Sequence, residues 1–217
     1  MDFIYIINKF PSLSKNDIDQ DHVSEQILSI SDILRSVFLL SNSLLHENNF
    51  FIICLDQFLE FPKELMIFFQ GDKLRYLAPD ERGILYLLLK IHKIITGEGN
   101  KKQERKEHAK FIQLQRAQST PGIFMQKISI ENIWQMHKFQ AENYIIIGNF
   151  SNKYNRIQSV FELQETITSN SVLIIPTTDL NFDFPEEWNL YEFNSMDWKE
   201  KFYVSELISY IQANIAE

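Results

Sequence analysis

Apolar residues along this chain fall into two patterns, short unbroken runs and longer stretches with helical spacing. Phe3-Ile4-Tyr5-Ile6-Ile7 is a β-rich run that reads as a strand, closed by the Pro11-Ser-Leu-Ser turn region. Residues 13–22 are polar and read as loop. From about Ser24, Ile27, Ile30, Leu34, Val37, Phe38 and Leu45 recur at the spacing of an amphipathic helix. Phe50 to Leu55 and Leu65 to Phe69 are continuous apolar runs, the pattern of strands covered on both faces. Pro79-Asp80-Glu81 then opens a second helix, because proline suits the first helical position and two acids in the first turn complement the helix dipole. Ile84, Leu85, Leu88, Ile91 and Ile95 give its apolar face, with His92 at the margin, and Gly97 and Gly99 end it.

Further along, Thr120-Pro121-Gly122 signals a turn into Ile123-Phe124-Met125. Ile128 to Phe139 reads as a helix and Tyr144 to Ile147 as a strand ended by Gly148. Val172 to Ile175, stopped by Pro176, and Leu190 to Phe193 are two more strands. A last helix begins at Asp197, with Trp198, Phe202, Leu207, Ile208, Ile211 and Ile215 on one face. Strands alternating with helices, without repeats or a composition break, predict one α/β domain over residues 1–217 with a mostly parallel sheet.

Composition narrows the chemistry. With 45% hydrophobic and 23% charged residues in 217, the chain has a core that needs no staples and is not disordered. A lone Cys54, inside an apolar strand, excludes an intramolecular disulfide and a multi-cysteine zinc site and reads as packing. His22, His46, His92, His108 and His137 show no ligand spacing, so no metal is expected. The six glycines include none after Gly148, and neither a GxGxxG nor a Walker phosphate loop exists. No segment has the eighteen or so apolar residues of a membrane span. The amino terminus carries Asp2 and no cleavage site, and the expectation is a cytoplasmic protein without membrane partners.

The formal charge of −8 is unevenly spread. Between Lys90 and Arg116, eight basic residues face only Glu98, Glu104 and Glu107, whereas residues 151–217 hold four basic against eleven acidic residues. The basic window has two readings. One is a solvated, mobile loop over about residues 97–110. The other is a phosphate-facing arm, with Lys101, Lys102, Arg105 and Lys106 meeting RNA and binding that weakens with salt.

The densest group of chemistry-bearing residues is Gly71-Asp-Lys-Leu74-Arg75-Tyr-Leu-Ala-Pro79-Asp80-Glu81-Arg82. As residues alone, it is either a helix cap with surface ion pairs or a recognition site built from guanidinium and carboxylate groups. The stretch resembles the signature of the archaeal tRNA pseudouridine N1-methyltransferases that act on the T-loop, members of the knotted SPOUT class. Phe69, Gly71, Leu74, Arg75, Pro79, Asp80, Glu81 and Arg82 match that pattern. Asp32-Ile-Leu-Arg35 and Ser119-Thr120-Pro121-Gly122-Ile123 resemble further segments in the same order, and the likeness runs from the first strand to about Gly148.

The resemblance implies a SPOUT-like fold with a C-terminal trefoil knot, S-adenosyl-L-methionine as methyl donor, tRNA as substrate, and a homodimer whose RNA site spans both subunits. It implies a donor site made by two loops, Ile175, Pro176, Thr177 and Thr178 in one and Phe193, Asn194, Ser195 and Met196 in the other. Methylating a ring nitrogen needs an aligned donor methyl and a proton acceptor, for which Asp80 is the candidate. First-turn dipole stabilisation is the plainer role for the same carboxylate. Arg35, Arg75 and Arg82 are candidates for phosphate or uracil-carbonyl contacts. The last third departs from the pattern, because the family's glycines in both donor loops are replaced here by Pro176 and by Asn194 or Ser195. The alternative is therefore a protein of the same fold without a donor site, kept as an RNA-binding or protein-interaction scaffold.

Overall fold

The apolar runs pair into one nine-stranded mixed sheet in the computed structural model, which describes residues 1–40, 43–55, 64–75, 77, 80–136, 141–148, 154–157, 159–177, 184–193 and 204–215. In chain order the elements are β1 (Asp2–Ile7), α1 (Lys15–Asp19), α2 (Glu25–Phe38), β2 (Leu39–Leu40), β3 (Ser43–Leu44), β4 (Asn49–Cys54) and β5 (Glu64–Gln70). A 3-10 turn at Gly71–Lys73 leads to α3 (Glu81–Thr96), α4 (Lys102–Leu114), β6 (Arg116–Thr120), β7 (Ile123–Ile128) and α5 (Ile130–Trp134). Then follow β8 (Asn143–Ile147), β9 (Asn155–Ile157), α6 (Val160–Thr166), β10 (Ser171–Pro176), β11 (Leu190–Phe193) and α7 (Val204–Ile215). The large sheet runs β6-β7-β5-β4-β1-β10-β8-β11-β9, while β2 and β3 pair only with each other.

The sheet is parallel from β4 to β9 and antiparallel from β4 to β6. The expectation of a mostly parallel sheet describes the first part alone. Loop length explains the rest. Nine residues separate Cys54 from Glu64, fewer than the dozen or so a parallel crossover requires, so β5 must turn back along β4. Gly122, at φ 85°, makes the turn between β6 and β7 that sends the next pair back again.

Side chains of β1 alternate between two cores. Phe3, Tyr5 and Ile7 join the larger one, under helices that include α2, α3 and α7, and Ile4 and Ile6 join the smaller one with Phe51, Phe68, Ile133 and Trp134. Phe51 and Phe68 stack across β4 and β5 at 4.4 Å. The expected helix from Ser24 is α2, capped by the Ser24 hydroxyl on the Ile27 N–H, but it stops at Phe38. Leu45 is therefore off its face, and its N–H donates to the Phe38 carbonyl.

Three expected elements are corrected. Residues 13–22 are not all loop, because Ser14 and Asp17 cap each other reciprocally and start α1. The helix expected over 128–139 begins after Ile128, which ends β7, and α5 closes at Trp134. The window read as a mobile loop over 97–110 is mostly helix, since α4 spans its latter part and continues beyond it. The last helix is described from Val204, and Asp197, Trp198 and Phe202 lie outside the described residues.

Candidate functional site

The segments matched in the sequence meet at one corner, at the amino ends of β1 and β4. The Gly71 N–H donates to the Asn48 carbonyl, and the Gln70 N–H to the Gly122 carbonyl at 2.8 Å. His46 Nδ1 lies 3.1 Å from the Gly71 carbonyl, and the Asn48 amide donates to the Val37 carbonyl in the last turn of α2. Gln212 of α7 donates to that same carbonyl at 2.9 Å. Backbone bonds thus fasten the Gly71 turn to Asn48 and to Gly122, and the Asn48 side chain ties that corner to Val37, two residues beyond Asp32–Arg35. A Cβ on Gly71 would strike the Asn48 carbonyl oxygen, which gives this glycine a packing reason. Arg35 and Arg75 both reach solvent here, Arg35 with Asp32 at 3.8 Å.

The second half of the block lies elsewhere. Asp80 is the N-cap of α3, its carboxylate accepting the Gly83 N–H at 2.6 Å. Arg82 donates to Asp19 of α1 at 3.3 Å, and the Tyr86 hydroxyl donates to the same oxygen at 2.9 Å. Since α1 follows the carboxyl end of β1, Asp80 and Arg82 face the opposite end of the sheet from Arg35 and Arg75. Pro79 lies outside the described residues.

Lys101, Lys102, Arg105 and Lys106 line the exposed side of the first two turns of α4. The other side is unusual, with Glu104, Glu107 and Phe111 buried. Glu104 accepts the Lys101 N–H, and Glu107 accepts from Lys110 at 2.7 Å, from Gln103, and from the Gln118 N–H on β6. Burial pushes the Glu107 carboxyl up, but Lys110, Gln118 and Lys106 outweigh it and hold it below the usual carboxylate range. Lys127 of β7 packs over the Phe111 ring at 5.1 Å, and burial lowers its pKa. Inward carboxylates hold the helix down and leave its cations facing water.

The two candidate donor loops start two strands apart, with β8 between them. Parallel pairing sets the carboxyl ends of β10 and β11 on either side of β8, and the Gly148 N–H donates to the Phe193 carbonyl at 3.1 Å. The crossover from β1 runs to β4 on one side and that from β10 to β11 on the other, so the switch point, the kind at which open α/β sheets bind ligands, lies between β1 and β10. The Ile175 and Phe193 side chains are packed into the larger core, so they face no ligand. Pro176 has no N–H, and Thr177 gives both its N–H and its hydroxyl to the Ile6 carbonyl, at 3.0 and 3.1 Å. Thr178, Asn194, Ser195 and Met196 lie outside the described residues.

Two groups escaped the sequence reading. His46 and Asn48, which lock the corner, carry no motif of their own. An aromatic group formed by Trp134, Tyr144, Phe184 and Trp188 is assembled from three separate segments, so no local pattern marks it. Cys54 is fully buried, and burial raises its thiol pKa far above the usual range, consistent with packing. Among the described residues, no group of three or more His, Cys, Asp or Glu side chains could hold a metal ion, and no helix is long and apolar enough to cross a membrane.

Fold and site together define an α/β protein with a nine-stranded mixed sheet, two parallel strand ends flanking β8 and a cationic helix face. No protein-family model matches the chain, and no curated protein matches it significantly.

Proposed function

We propose that this chain is an S-adenosylmethionine-dependent RNA methyltransferase of the SPOUT kind, modifying a pseudouridine in tRNA. The observation that carries the reading is that β10 ends at the switch point between β1 and β10, with β11 ending two strands away across β8, in the parallel part of the sheet. The meeting of the Gly71 and Gly122 turns at the Asn48 corner, next to the end of α2, supports it, because residues far apart in sequence then belong to one unit. The knot and the SPOUT class are part of this proposal. β11 lies beyond β8 while α7 packs on α2, and residues 194–203 join the two.

The donor, when bound, supplies a sulfonium methyl. Thr177 fits a buttressing role, its two donors tying the loop to the end of β1, and the described side chains offer the donor no hydrogen bond of their own. The exposed cations of α4 serve RNA phosphates, and Arg35 with Arg75 form a second cationic patch.

Calorimetry with S-adenosylmethionine tests the reading directly. Saturable binding that is weakened by Thr177→Val is expected, and no heat at millimolar donor would overturn it. The scaffold alternative is favoured by the engagement of Asp80 and Thr177 in structural bonds, and it keeps RNA binding without donor binding. For either reading, changing Lys101, Lys102, Arg105 and Lys106 to Ala should reduce the slope of log K against log salt for T-loop RNA by up to about 3. An unchanged slope would remove α4 from the RNA surface.

A further inference from the structure

On the sheet face that carries α5, a hollow of about 640 Å³ opens between that helix and the segment Phe184–Asn189. Trp134 and Trp188 make its corner, their rings 5.3 Å apart and inclined at 73°. Tyr144 lies flat on Trp188, at 3.9 Å and 4°. Glu131, Glu142 and Glu187 stand exposed at the rim, and no lysine or arginine lines the hollow among the described residues. Burial raises the Tyr144 phenol pKa, the Ala141 N–H bonded to its oxygen opposes that rise, and Glu187 adds to it.

We propose that this hollow binds a small methylated organic cation, of the quaternary ammonium type. Aromatic faces attract cations through the ring quadrupole, most strongly where the cation sheds its water easily. A quaternary ammonium, with its charge spread over methyl groups, sheds water far more easily than a primary ammonium. Carboxylates around a concave, low-dielectric wall raise the local cation concentration and oppose any phosphate or carboxylate ligand. The volume falls within the range of small-molecule sites, about 300–1,000 Å³. Tyr144 and Leu190 are paired near the amino ends of β8 and β11, so the hollow opens away from the donor loops and does not depend on the methyltransferase reading.

Tryptophan fluorescence tests the site, since two of the three tryptophans line it. Choline chloride, titrated against sodium chloride at equal ionic strength, should give a saturable change. Its neutral isostere 3,3-dimethylbutan-1-ol should give none over the same range. Glu187→Gln, an exposed change that leaves the core intact, should weaken choline about threefold, the effect expected of one exposed charge. Trp188→Leu should abolish binding, with circular dichroism reporting whether the variant is folded. Equal saturation by the neutral isostere, unchanged affinity in both Glu187→Gln and Glu131→Gln, or no saturable response to choline would each overturn the assignment.

Discussion

A single hydrogen atom in place of a methyl decides the Asn48 corner. At Gly71 a Cβ would sit against the Asn48 carbonyl oxygen and 2.9 Å from the His46 carbonyl oxygen, and both are backbone. Gly71→Ala should therefore cost about 1–3 kcal/mol, read as a lower urea midpoint at unchanged m value. Asp80 separates capping from chemistry. Asp80→Ala should lose about 1 kcal/mol of stability and Asp80→Asn almost none, because asparagine also caps well. If Asp80 accepts a proton during methyl transfer, the Asn variant folds normally and is inactive. The acid limb of stability includes His92 and Glu107. Burial lowers the His92 pKa, with Glu98 opposing it and Lys93 adding to it, so the folded protein holds a neutral ring. The unfolded chain takes up that proton first, and stability should fall as pH drops below about 6.5. Glu107, whose folded pKa is depressed, adds a further loss as pH falls through the carboxylate range. His92→Leu should flatten the first fall and leave the second, in urea midpoints measured from about pH 8 to pH 4.

Elements with apolar periodicity were legible, and those held by polar groups were not. Strands β1, β4, β5, β8 and β10 coincide with unbroken apolar runs, β11 is interrupted by the buried Glu192, and α2 and α3 coincide with apolar stripes. By contrast, α4 buries Glu104 and Glu107 at helical spacing with Phe111, so its inward face looks charged in sequence and its outward face looks like a linker. α1 escaped because one polar capping box, rather than hydrophobic content, starts it. The turn of β5 back along β4 was open to a loop-length argument, while the meeting of Gly71 with Gly122 depends on tertiary register and was not. Glu107 also covers the outward N–H of Gln118 on the edge strand β6. Glu107→Ala should cost about 1–3 kcal/mol and raise self-association, seen as increased light scattering at equal concentration. Glu107→Gln, which still accepts that bond, should scatter less.

At the scale of the whole molecule, the sheet combines a parallel region bearing the two candidate donor loops with an antiparallel region bearing the matched turns. The class of the parallel region was readable from strand and helix alternation. A knot would not have been, because threading leaves no periodic mark on a sequence. α7 closes the larger core with Leu207, Ile208 and Ile211, each nearly inaccessible. Their burial is worth on the order of 5–9 kcal/mol, comparable with the stability of an entire domain. A chain ended at Phe193 should keep its far-ultraviolet dichroism, lose the near-ultraviolet signal and bind ANS.

The pairing of β1 has a consequence for how the protein is made. Ile4 stands opposite Phe51 on one flank and Ile174 on the other, so β1 leaves the ribosome well over a hundred residues before its second partner exists. The antiparallel meander can assemble early, from neighbours close in sequence. Until β10 is synthesised, the nascent chain carries a bare, strongly apolar strand edge, open to chaperones and to misassembly in a way the finished molecule is not.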